Sequence, residues 1–360
     1  MKILYAIQGT GNGHLSRARD IIPILKKNHE VDLLVSGSQA DVTLIYDVKY
    51  KFKGLGFIFG ATGGIDLVET YKKNNIKVLL SEINSLPVND YDLVINDFEP
   101  VSAWACYFNN KTCIALSHQS AVLHKEAPQP NEIDLLGKAI LKNYAPATEK
   151  YGFHFKTYGN QIFTPVIRKQ IREQQIEERG HYTVYLPSYD DERILKVLRM
   201  IENVQWQVFS KHNKQEFTEN NISIRPINNE AFMESMATST GVLCGAGFET
   251  PAEALYMKKK LMVIPMKGQY EQQCNAAALK EMGVPVIKSL KPKHIDAIRQ
   301  WIDNETKIEV DYPDDTEEIV NNILSKHTPS EMEVVSQERK KPGTAKKFQR
   351  MILKSIAKEL

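Results

Sequence analysis

Segments with the pattern of β-strands alternate with segments with the pattern of α-helices from the first residues of this chain. Lys2–Ile7 is an apolar run of strand length, and Leu15–Lys27 carries apolar side chains at helical spacing. The alternation continues through the first half, where the predicted strands are Val31–Val35, Tyr91–Asn96, Thr112–Leu116 and Tyr151–Tyr158 and the predicted helices are Val101–Phe108 and Glu132–Lys150. Such alternation favours βα units and a parallel sheet.

The alternation breaks near Thr164–Arg168, and a charged stretch follows from Lys169 to Gly180. A second series then begins, whose predicted strands are Tyr182–Leu186, Gln205–Phe209, Ile222–Pro226, Gly241–Cys244, Leu261–Ile264 and Pro285–Lys288. Because 360 residues exceed what one core usually holds, we expect two domains. We predict an α/β fold of two Rossmann-like, doubly wound domains facing a cleft. The predicted division is residues 1–164, a linker over 165–180, a second domain over 181–334 and a basic helical tail over 335–360.

Composition excludes several classes of function. The net charge of +2 argues against nucleic acid as the main partner, because nucleic-acid-binding domains usually carry a strong basic excess. Apolar runs are of strand length and shorter than a membrane span, and Met1–Ile7 is too short for a signal peptide. The four cysteines lie in apolar segments without metal-ligand spacing, so we expect reduced core residues in a cytosolic protein.

Two amphipathic segments leave alternatives open. The tail Glu338–Leu360 is rich in Lys and Arg and carries apolar side chains at helical spacing, which suits either an anionic membrane surface or docking on the protein body. Leu135–Lys142 suits contact with a lipid-linked substrate at a membrane or, more commonly, a helix packed on a core. The expected location is cytoplasmic, at the inner face of the membrane if the substrate is lipid-linked.

A small-residue segment, Gly245-Ala246-Gly247, follows the predicted strand Gly241–Cys244. Thr250 and Pro251 then open a helix, and the free N–H groups at such a helix start form a site for an anion such as a pyrophosphate. Glu253 lies one turn into this helix, where a carboxylate can accept hydrogen bonds from both hydroxyls of a ribose. The simpler alternative is a tight turn between strand and helix with a surface glutamate.

The first glycine loop, Gly9-Thr10-Gly11-Asn12-Gly13, ends at His14 and is not a dinucleotide fingerprint. His14 replaces the third glycine of that motif, and the second strand ends without an acidic residue for a ribose. No nicotinamide or flavin cofactor is therefore expected. The loop places an imidazole at a helix start, where it can act as a general base if a carboxylate fixes its tautomer.

Two carboxylates are candidates for that partner. Asp97 follows an apolar strand and is the first choice, and Glu99 is the second. Taken singly, His14 could instead be a capping or core histidine, and Asp97 could be the N-cap of the next helix.

Together these segments resemble the GT-B glycosyltransferases, which bind a nucleotide sugar between two Rossmann-like domains. The resemblance is to the bacterial lipid-linked N-acetylglucosaminyltransferases, to the UDP-dependent glucosyl- and glucuronosyltransferases and to a poorly characterised prokaryotic branch. Gly9–His14 is similar to their N-terminal glycine loop, and Asp97 falls where the glucosyltransferases keep the aspartate that orients the histidine. In the second half the match spans Arg225 to Ala276.

The resemblance implies a role for each residue of the donor site. Ile227 would pair its backbone with uracil, Glu253 would bind the ribose, and Glu271 and Gln272 would bind the sugar hydroxyls. The residues implied at the pyrophosphate and its surrounding loops are Gly11, Gly13, Gly245, Ala246, Gly247, Phe248, Glu249 and Thr250. Gly245 stands where plant and animal enzymes carry a phosphate-binding histidine, and Glu249 stands where they carry an asparagine. A Glu249 carboxylate turned towards the helix start would favour the helix dipole.

The predicted reaction needs no metal and no other cofactor. No Asp-x-Asp motif stands at a strand end, and Asp190-Asp191 and Asp314-Asp315 are predicted helix starts. We therefore expect an inverting hexosyltransferase that moves a sugar from a UDP-sugar, or a TDP-sugar, to an acceptor hydroxyl, with His14 as base and Asp97 as its partner. The acceptor, which could be a glycan, a lipid-linked sugar or a small molecule, would bind within the region from His118 to Tyr158. The alternatives are a sugar-nucleotide 2-epimerase of the same fold and a non-catalytic protein that binds nucleotide sugars.

Overall fold

The computed structural model of the chain describes residues 1–37, 44–55 and 76–328. The described residues divide into two compact units, the first formed by residues 1–127, 132–166 and 313–328 and the second by residues 128–131 and 167–312. The predicted basic tail over 335–360 lies outside the described residues.

Thirteen strands are present among the described residues. They are β1 Lys2–Gln8, β2 Glu30–Ser36, β3 Tyr50–Phe52, β4 Leu93–Asp97, β5 Cys113–Leu116, β6 Glu149–Phe153, β7 Ile162–Phe163, β8 His181–Tyr185, β9 Gln205–Ser210, β10 Phe217–Glu219, β11 Ile222–Pro226, β12 Gly241–Gly245 and β13 Lys260–Ile264.

The α-helices of the described residues connect these strands. They are α1 Asn12–Lys26, α2 Ile76–Ser85, α3 Pro100–Asn109, α4 His118–Val122, α5 Leu135–Tyr144, α6 Lys169–Arg172, α7 Asp191–Leu198, α8 Asn229–Thr238, α9 Glu249–Tyr256, α10 Tyr270–Glu281, α11 Ile295–Asp303 and α12 Thr316–Lys326.

The first unit is built on a parallel seven-stranded sheet with the order β3-β2-β1-β4-β5-β6-β7. Its central strands β1 and β4 are apolar because helices cover both faces, as expected for a doubly wound sheet. Ile7 of β1 lies beside Asp97 of β4, so the loops that follow these two strands leave the sheet at the same edge. This register places the first glycine loop next to the end of β4.

The second unit contains a six-stranded sheet with the order β10-β11-β9-β8-β12-β13. Five of its strands are parallel, and β10 pairs with β11 in the antiparallel sense at the sheet edge. The carboxyl ends of β9, β11, β12 and β13 therefore lie on one edge. The segments that were predicted to hold the donor follow the ends of β11, β12 and β13.

Several predicted elements differ from the structure; the predicted strand Tyr151–Tyr158, for example, is β6 and ends at Phe153. The predicted helix Glu132–Lys150 is helical only over α5, which starts after an Asp134 side-chain cap. It ends before Ala145, because a residue that precedes a proline, here Pro146, is disfavoured in helical conformation. The predicted strand Pro285–Lys288 forms only an isolated bridge between Val286 and Val263.

The C-terminal described helix belongs to the first unit. Helix α12 packs against α1, and Lys27 donates a 2.6 Å hydrogen bond to Glu317. The predicted division had placed this helix in the second domain, which was to run to residue 334. The chain thus crosses back to the first unit near Pro313.

Smaller predictions concern helix starts and cysteines. Asp190 caps α7 by accepting a hydrogen bond from the Arg193 backbone at 2.9 Å, and Asp315 occupies the N-cap position of α12. All four cysteines are free and buried, which confirms that they are core residues. In the part of the chain that the structure describes, no helix has the length and apolar character needed to cross a membrane.

Candidate active site

The first glycine loop is tightly folded against the neighbouring strand. The Gly9 N–H donates a 2.6 Å hydrogen bond to the Ser36 carbonyl, and a Cβ on Gly9 would lie only 2.9 Å from that oxygen. Gly11 has a φ of +97°, which favours glycine. Helix α1 begins at Asn12, three residues earlier than predicted, so Gly13 lies in its first turn and His14 is its third residue.

His14 and Asp97 form the predicted dyad. The His14 Nδ1 lies 2.8 Å from Asp97 Oδ1, although 83 residues separate them in sequence. A carboxylate only accepts hydrogen bonds, so Nδ1 carries the proton and Nε2 keeps its lone pair. The Nε2 atom lies 3.4 Å from the side-chain nitrogen of Gln119, at the start of α4. The His14 side chain is 12 % exposed.

Arg17 joins this pair and was missed in the sequence. It lies one helical turn after His14, and its guanidinium reaches both carboxylate oxygens of Asp97 at 2.8 and 2.9 Å. Its Nη2 also lies 3.3 Å from His14 Nδ1. The spacing of three residues between His14 and Arg17 at the start of one helix was the available signal, because such residues share one face.

The charge of Asp97 is maintained despite complete burial. Burial by itself raises the pKa of this carboxyl, but the nearby Arg17 and His14 favour the ionised form and hold the pKa below its ordinary value. A buried carboxylate with such partners is a permanent negative charge at neutral pH.

Phe98 has an unusual backbone conformation beside this cluster. Its φ is +56°, a left-handed value that bulky residues adopt at a cost and that is common at functional sites. The ring lies parallel to the His14 imidazole, with the centroids 6.4 Å apart, and it also packs on Tyr144. The turn from β4 to α3 is thus made at the residue that flanks the imidazole.

Glu99 is the N-cap of α3, a role that the simpler alternative had given to Asp97. Its carboxylate accepts hydrogen bonds from the Val101 and Ser102 backbones at 2.7 and 2.6 Å. The side chain is fully buried, and burial raises its pKa above the ordinary glutamate value even though these N–H groups oppose the shift. Both acceptor oxygens therefore point into the helix start rather than towards His14.

The second glycine loop joins β12 to α9 in the second unit. A Cβ on Gly247 would meet no atom within 4 Å, and the atom nearest to a Cβ on Gly245 would be Gln272 Oε1 at 3.8 Å. Helix α9 begins at Glu249, one residue before the predicted start, and its N-cap residue, Phe248, makes no side-chain cap hydrogen bond. Glu249 thus lies in the first turn, where its charge favours the helix dipole. Open space and an uncapped helix start occur together here, and an anion could occupy such a site.

Glu253 is buried and paired. Its carboxylate receives two hydrogen bonds from the Arg168 guanidinium, at 2.5 and 2.8 Å, and it is only 2 % exposed. Arg168 also donates to Asn229 at the start of α8, at 2.9 Å. The ribose role predicted for Glu253 therefore requires a movement of Arg168 or its neighbours that opens the carboxylate. Arg168 lies 85 residues away in sequence, which explains why the sequence gave no sign of the pair.

Helix α10 is tied to the second glycine loop. Asn275 is completely buried and donates to the Ala246 carbonyl at 3.1 Å. Gln272 accepts a hydrogen bond from the Met266 backbone at 2.9 Å, and Glu271 precedes it in the first turn. These contacts bring the predicted sugar-binding side chain of Gln272 to the side of the loop that carries Gly245.

Ile227 directly follows β11, as predicted. Its N–H donates to the Ser210 carbonyl at 3.0 Å. A uracil paired with this backbone would therefore use the Ile227 carbonyl as its acceptor.

A separate cavity of about 460 Å³ lies on the sheet of the second unit, between β9, β11 and α8. Its lining includes Gln207, Ser223, Arg225 and Ser235 and contains none of the predicted donor residues. Within the described ranges, no group of three or more His, Cys, Asp or Glu side chains is arranged to hold a metal ion.

The sequence profile described as Glycosyl transferase family 1 matches residues 1–304. The chain belongs to this family. It is a glycosyltransferase, and the match favours sugar transfer over the epimerase and non-catalytic alternatives. No curated protein sequence matches the chain.

Solved structures of glycosyltransferases are similar along nearly the whole chain. MurG of Acinetobacter baumannii has 12% identity and a TM-score of 0.52, with 98% of this chain and 99% of that chain covered. A UDP-glucosyltransferase from Polygonum tinctorium that glucosylates indoxyl has 12% identity and a TM-score of 0.54, with coverages of 99% and 98%. The glycosyltransferase VinC, solved with dTDP, has 11% identity and a TM-score of 0.51, with coverages of 99% and 100%. At these identities the likeness concerns the fold, which is the predicted GT-B fold of two Rossmann-like domains.

Proposed function

We propose that this family 1 glycosyltransferase is an inverting, metal-independent enzyme that transfers a hexose from a UDP-sugar to an acceptor hydroxyl. The single observation that carries the proposal is the His14–Asp97 pair, which leaves Nε2 of a half-buried imidazole able to accept a proton.

The proposed reaction is one displacement. His14 Nε2 removes the proton of the acceptor hydroxyl while the oxygen forms a bond to the anomeric carbon of the donor. The bond from that carbon to the diphosphate breaks, and the diphosphate leaves with the electron pair. Attack from the face opposite the leaving group inverts the anomeric configuration. Asp97 stabilises the imidazolium that forms, because its buried charge lies 2.8 Å from Nδ1.

The second unit supplies the proposed donor site. The start of α9 and the open space at Gly247 support binding of the diphosphate by backbone N–H groups. These groups would stabilise the departing negative charge without a metal ion. The Ile227 carbonyl and Glu271 with Gln272 would bind the base and the sugar. The UDP-glucosyltransferase of similar fold favours uridine as the base, and a TDP-sugar is the alternative.

Glu253 keeps its proposed ribose role in a modified form. A carboxylate offers about four lone-pair directions, and two of them accept the hydrogen bonds from Arg168. The ribose hydroxyls would donate to this carboxylate in place of other neighbours once the side chains around Glu253 open. Arg168 would then hold the carboxylate in orientation for the ribose.

The proposed acceptor side lies in the first unit. Gln119 is within the region from His118 to Tyr158, and its amide faces the Nε2 that would act as base. An acceptor hydroxyl that binds at Nε2 would replace this long 3.4 Å contact. Three kinds of acceptor are compatible with this reaction: a glycan, a lipid-linked sugar and a small molecule.

The test of the base is His14→Ala, assayed with a panel of UDP-sugars and acceptors. The expected kcat is lower by about 10²–10⁴, the usual contribution of a positioned general base, with an unchanged Kd for UDP. Asp97→Asn should cost less, because the imidazole remains in place. The matched control is His29→Ala, which removes a half-buried histidine just before β2, at the amino edge of the same sheet. Near-normal turnover of His14→Ala would exclude His14 as the base, and retained configuration in the product would exclude a single displacement.

A further inference from the structure

We propose that Arg17 positions the His14–Asp97 pair and opposes protonation of the His14 base by sharing the Asp97 carboxylate with it. This inference rests on the proposed function, in which His14 is the base. Arg17 acts through its neighbours and is therefore a positioning residue.

The Arg17 guanidinium is held in a fixed orientation against the Asp97 carboxylate. Three hydrogen bonds link the Arg17 guanidinium to Asp97: Nε to Oδ2 at 3.2 Å, and Nη2 to Oδ1 and Oδ2 at 2.8 and 2.9 Å. Arg17 is 2 % exposed and Asp97 is not exposed at all. Both carboxylate oxygens are engaged by a planar cation, and one of them, Oδ1, is shared with His14.

The charges act on the imidazole in opposite directions. A buried carboxylate beside an imidazole favours the imidazolium, because the opposite charge stabilises it. A histidine held fully as imidazolium cannot accept a proton from the acceptor. The Arg17 cation opposes this effect, since its Nη2 lies 3.3 Å from His14 Nδ1 and since it neutralises the carboxylate.

Among the described residues, the groups that contact the cluster besides these three include four that carry no charge. Gln119 presents a neutral amide to His14, and the rings of Phe98 and Phe153 lie beside His14 and Arg17. The fourth is Tyr5, whose hydroxyl stays protonated because burial, together with Asp97, raises its pKa well above the ordinary tyrosine value. Asp97 and Arg17 are therefore the charged groups that favour and oppose protonation of the His14 imidazole.

The experiment is an NMR titration of the His14 imidazole in the full chain without ligand, assigned by comparison with His14→Gln. In Arg17→Gln the midpoint of imidazole protonation should move upward by about one pH unit or more, because the cation is gone and the carboxylate remains. In the same variant, the midpoint of the acid limb in the pH profile of kcat/KM should move to higher pH by the same amount. A folded Arg17→Gln with an unchanged midpoint would overturn the inference.

A second pair of variants keeps the test decisive if Arg17→Gln does not fold. Asp97→Asn is compared with Asp97→Asn/Arg17→Met, which has no buried charge at this place. The double variant should protonate at a higher pH than Asp97→Asn, and equal midpoints would refute the role of the cation. A purely structural Arg17 would lower Tm in these variants and leave the midpoints unchanged.

The titration needs no turnover, so it separates this inference from the proposed function. If no variant and no wild-type sample transfers sugar, the assignment of the base fails while the shift in midpoint can still be observed. If wild type transfers sugar and the midpoint does not respond to Arg17, only the present inference fails.

Discussion

At the scale of single residues, two carboxylates separated by one position have different environments. Asp97 contacts a histidine and an arginine, whereas Glu99 accepts two backbone N–H groups of α3. Phe98, with its left-handed backbone, lies between them in the turn from β4 to α3. As a result, Asp97 contacts the proposed catalytic base, whereas Glu99 caps helix α3.

Glu99→Ala tests this division. The variant loses an N-cap, so the free energy of unfolding should fall by about 1–2 kcal/mol, and kcat should stay within a few-fold of wild type. Chemical denaturation and a transfer assay measure the two quantities.

The stability effect of Glu99 also has a definite pH dependence. Its folded pKa is raised, so the folded state binds more protons than the unfolded state between the ordinary and the raised pKa. The stability that wild type has over Glu99→Ala should therefore be fully present below the ordinary glutamate pKa and should decrease as pH rises through the raised pKa. A loss of kcat as large as that of His14→Ala, with unchanged stability, would make Glu99 the base.

Glu253→Ala tests the donor site. Binding of UDP should weaken by about 2–3 kcal/mol, as expected for a lost charge-assisted hydrogen bond. The change also leaves Arg168 buried without its carboxylate, so the free energy of unfolding should fall by several kcal/mol. Calorimetry measures the Kd on samples kept well below their melting temperature.

Arg168→Met is the matched control for this variant, because it breaks the same ion pair and keeps Glu253. Because Arg168→Met loses only the orientation of the carboxylate, the ribose role predicts a smaller loss of UDP affinity in this variant than in Glu253→Ala, and equal losses would contradict a separate ribose role for Glu253. Equal binding by Glu253→Ala and wild type would reject the role outright.

Residue partners were the hardest feature to predict. The His14–Asp97 pair follows from their positions at the ends of adjacent strands. Arg17 was overlooked although its spacing from His14 places both on one helix face. Arg168 could not have been assigned to Glu253, because pairing across 85 residues depends on how the chain packs and leaves no local pattern.

At the scale of elements, the two strand-to-helix loops use glycine for different physical reasons. Gly9 is needed because a Cβ there would lie 2.9 Å from the Ser36 carbonyl oxygen and from the Val35 side chain. Gly247 faces open space within 4 Å. The first loop is therefore constrained by the protein itself, and the second leaves room for something else.

Gly247→Ala should accordingly separate stability from binding. Gly247 has a backbone conformation open to other residues, so Tm should stay within about 2 °C of wild type. If the diphosphate fills the open space, the added methyl group should weaken UDP binding by about tenfold or more, measured by calorimetry. Gly9→Ala is the control and should show the opposite result. Its Tm should be lower than that of wild type, and its affinity for UDP should be unchanged. Unchanged affinity in Gly247→Ala would move the diphosphate away from this loop.

Most strands were predictable from apolar runs, because a parallel sheet buries both faces and requires them. The exceptions have local causes. The end of α5 was signalled by Pro146, whereas the short strand β10 has the sequence Phe-Thr-Glu and carries no buried run. Pro285–Lys288 has the composition of a strand and pairs at one point only.

At the scale of the whole molecule, catalysis without a metal ion is the expected property of this family 1 glycosyltransferase. The reason is the uncapped start of α9, whose N–H groups would stabilise the departing diphosphate. Excess EDTA should leave the rate of sugar transfer nearly unchanged. Complete loss of activity that Mg²⁺ or Mn²⁺ restores would show that the helix N–H groups are insufficient.

The return of the chain to the first unit in α12 has a consequence for biosynthesis. The helix that carries the histidine, α1, is synthesised some 300 residues before the helix that packs against it, α12. The second unit, which lies almost wholly within residues 167–312, has been synthesised before α12 appears. The face of α1 that α12 covers therefore stays exposed until α12 itself has been synthesised, and a fragment cut after residue 166 would keep that face exposed to water.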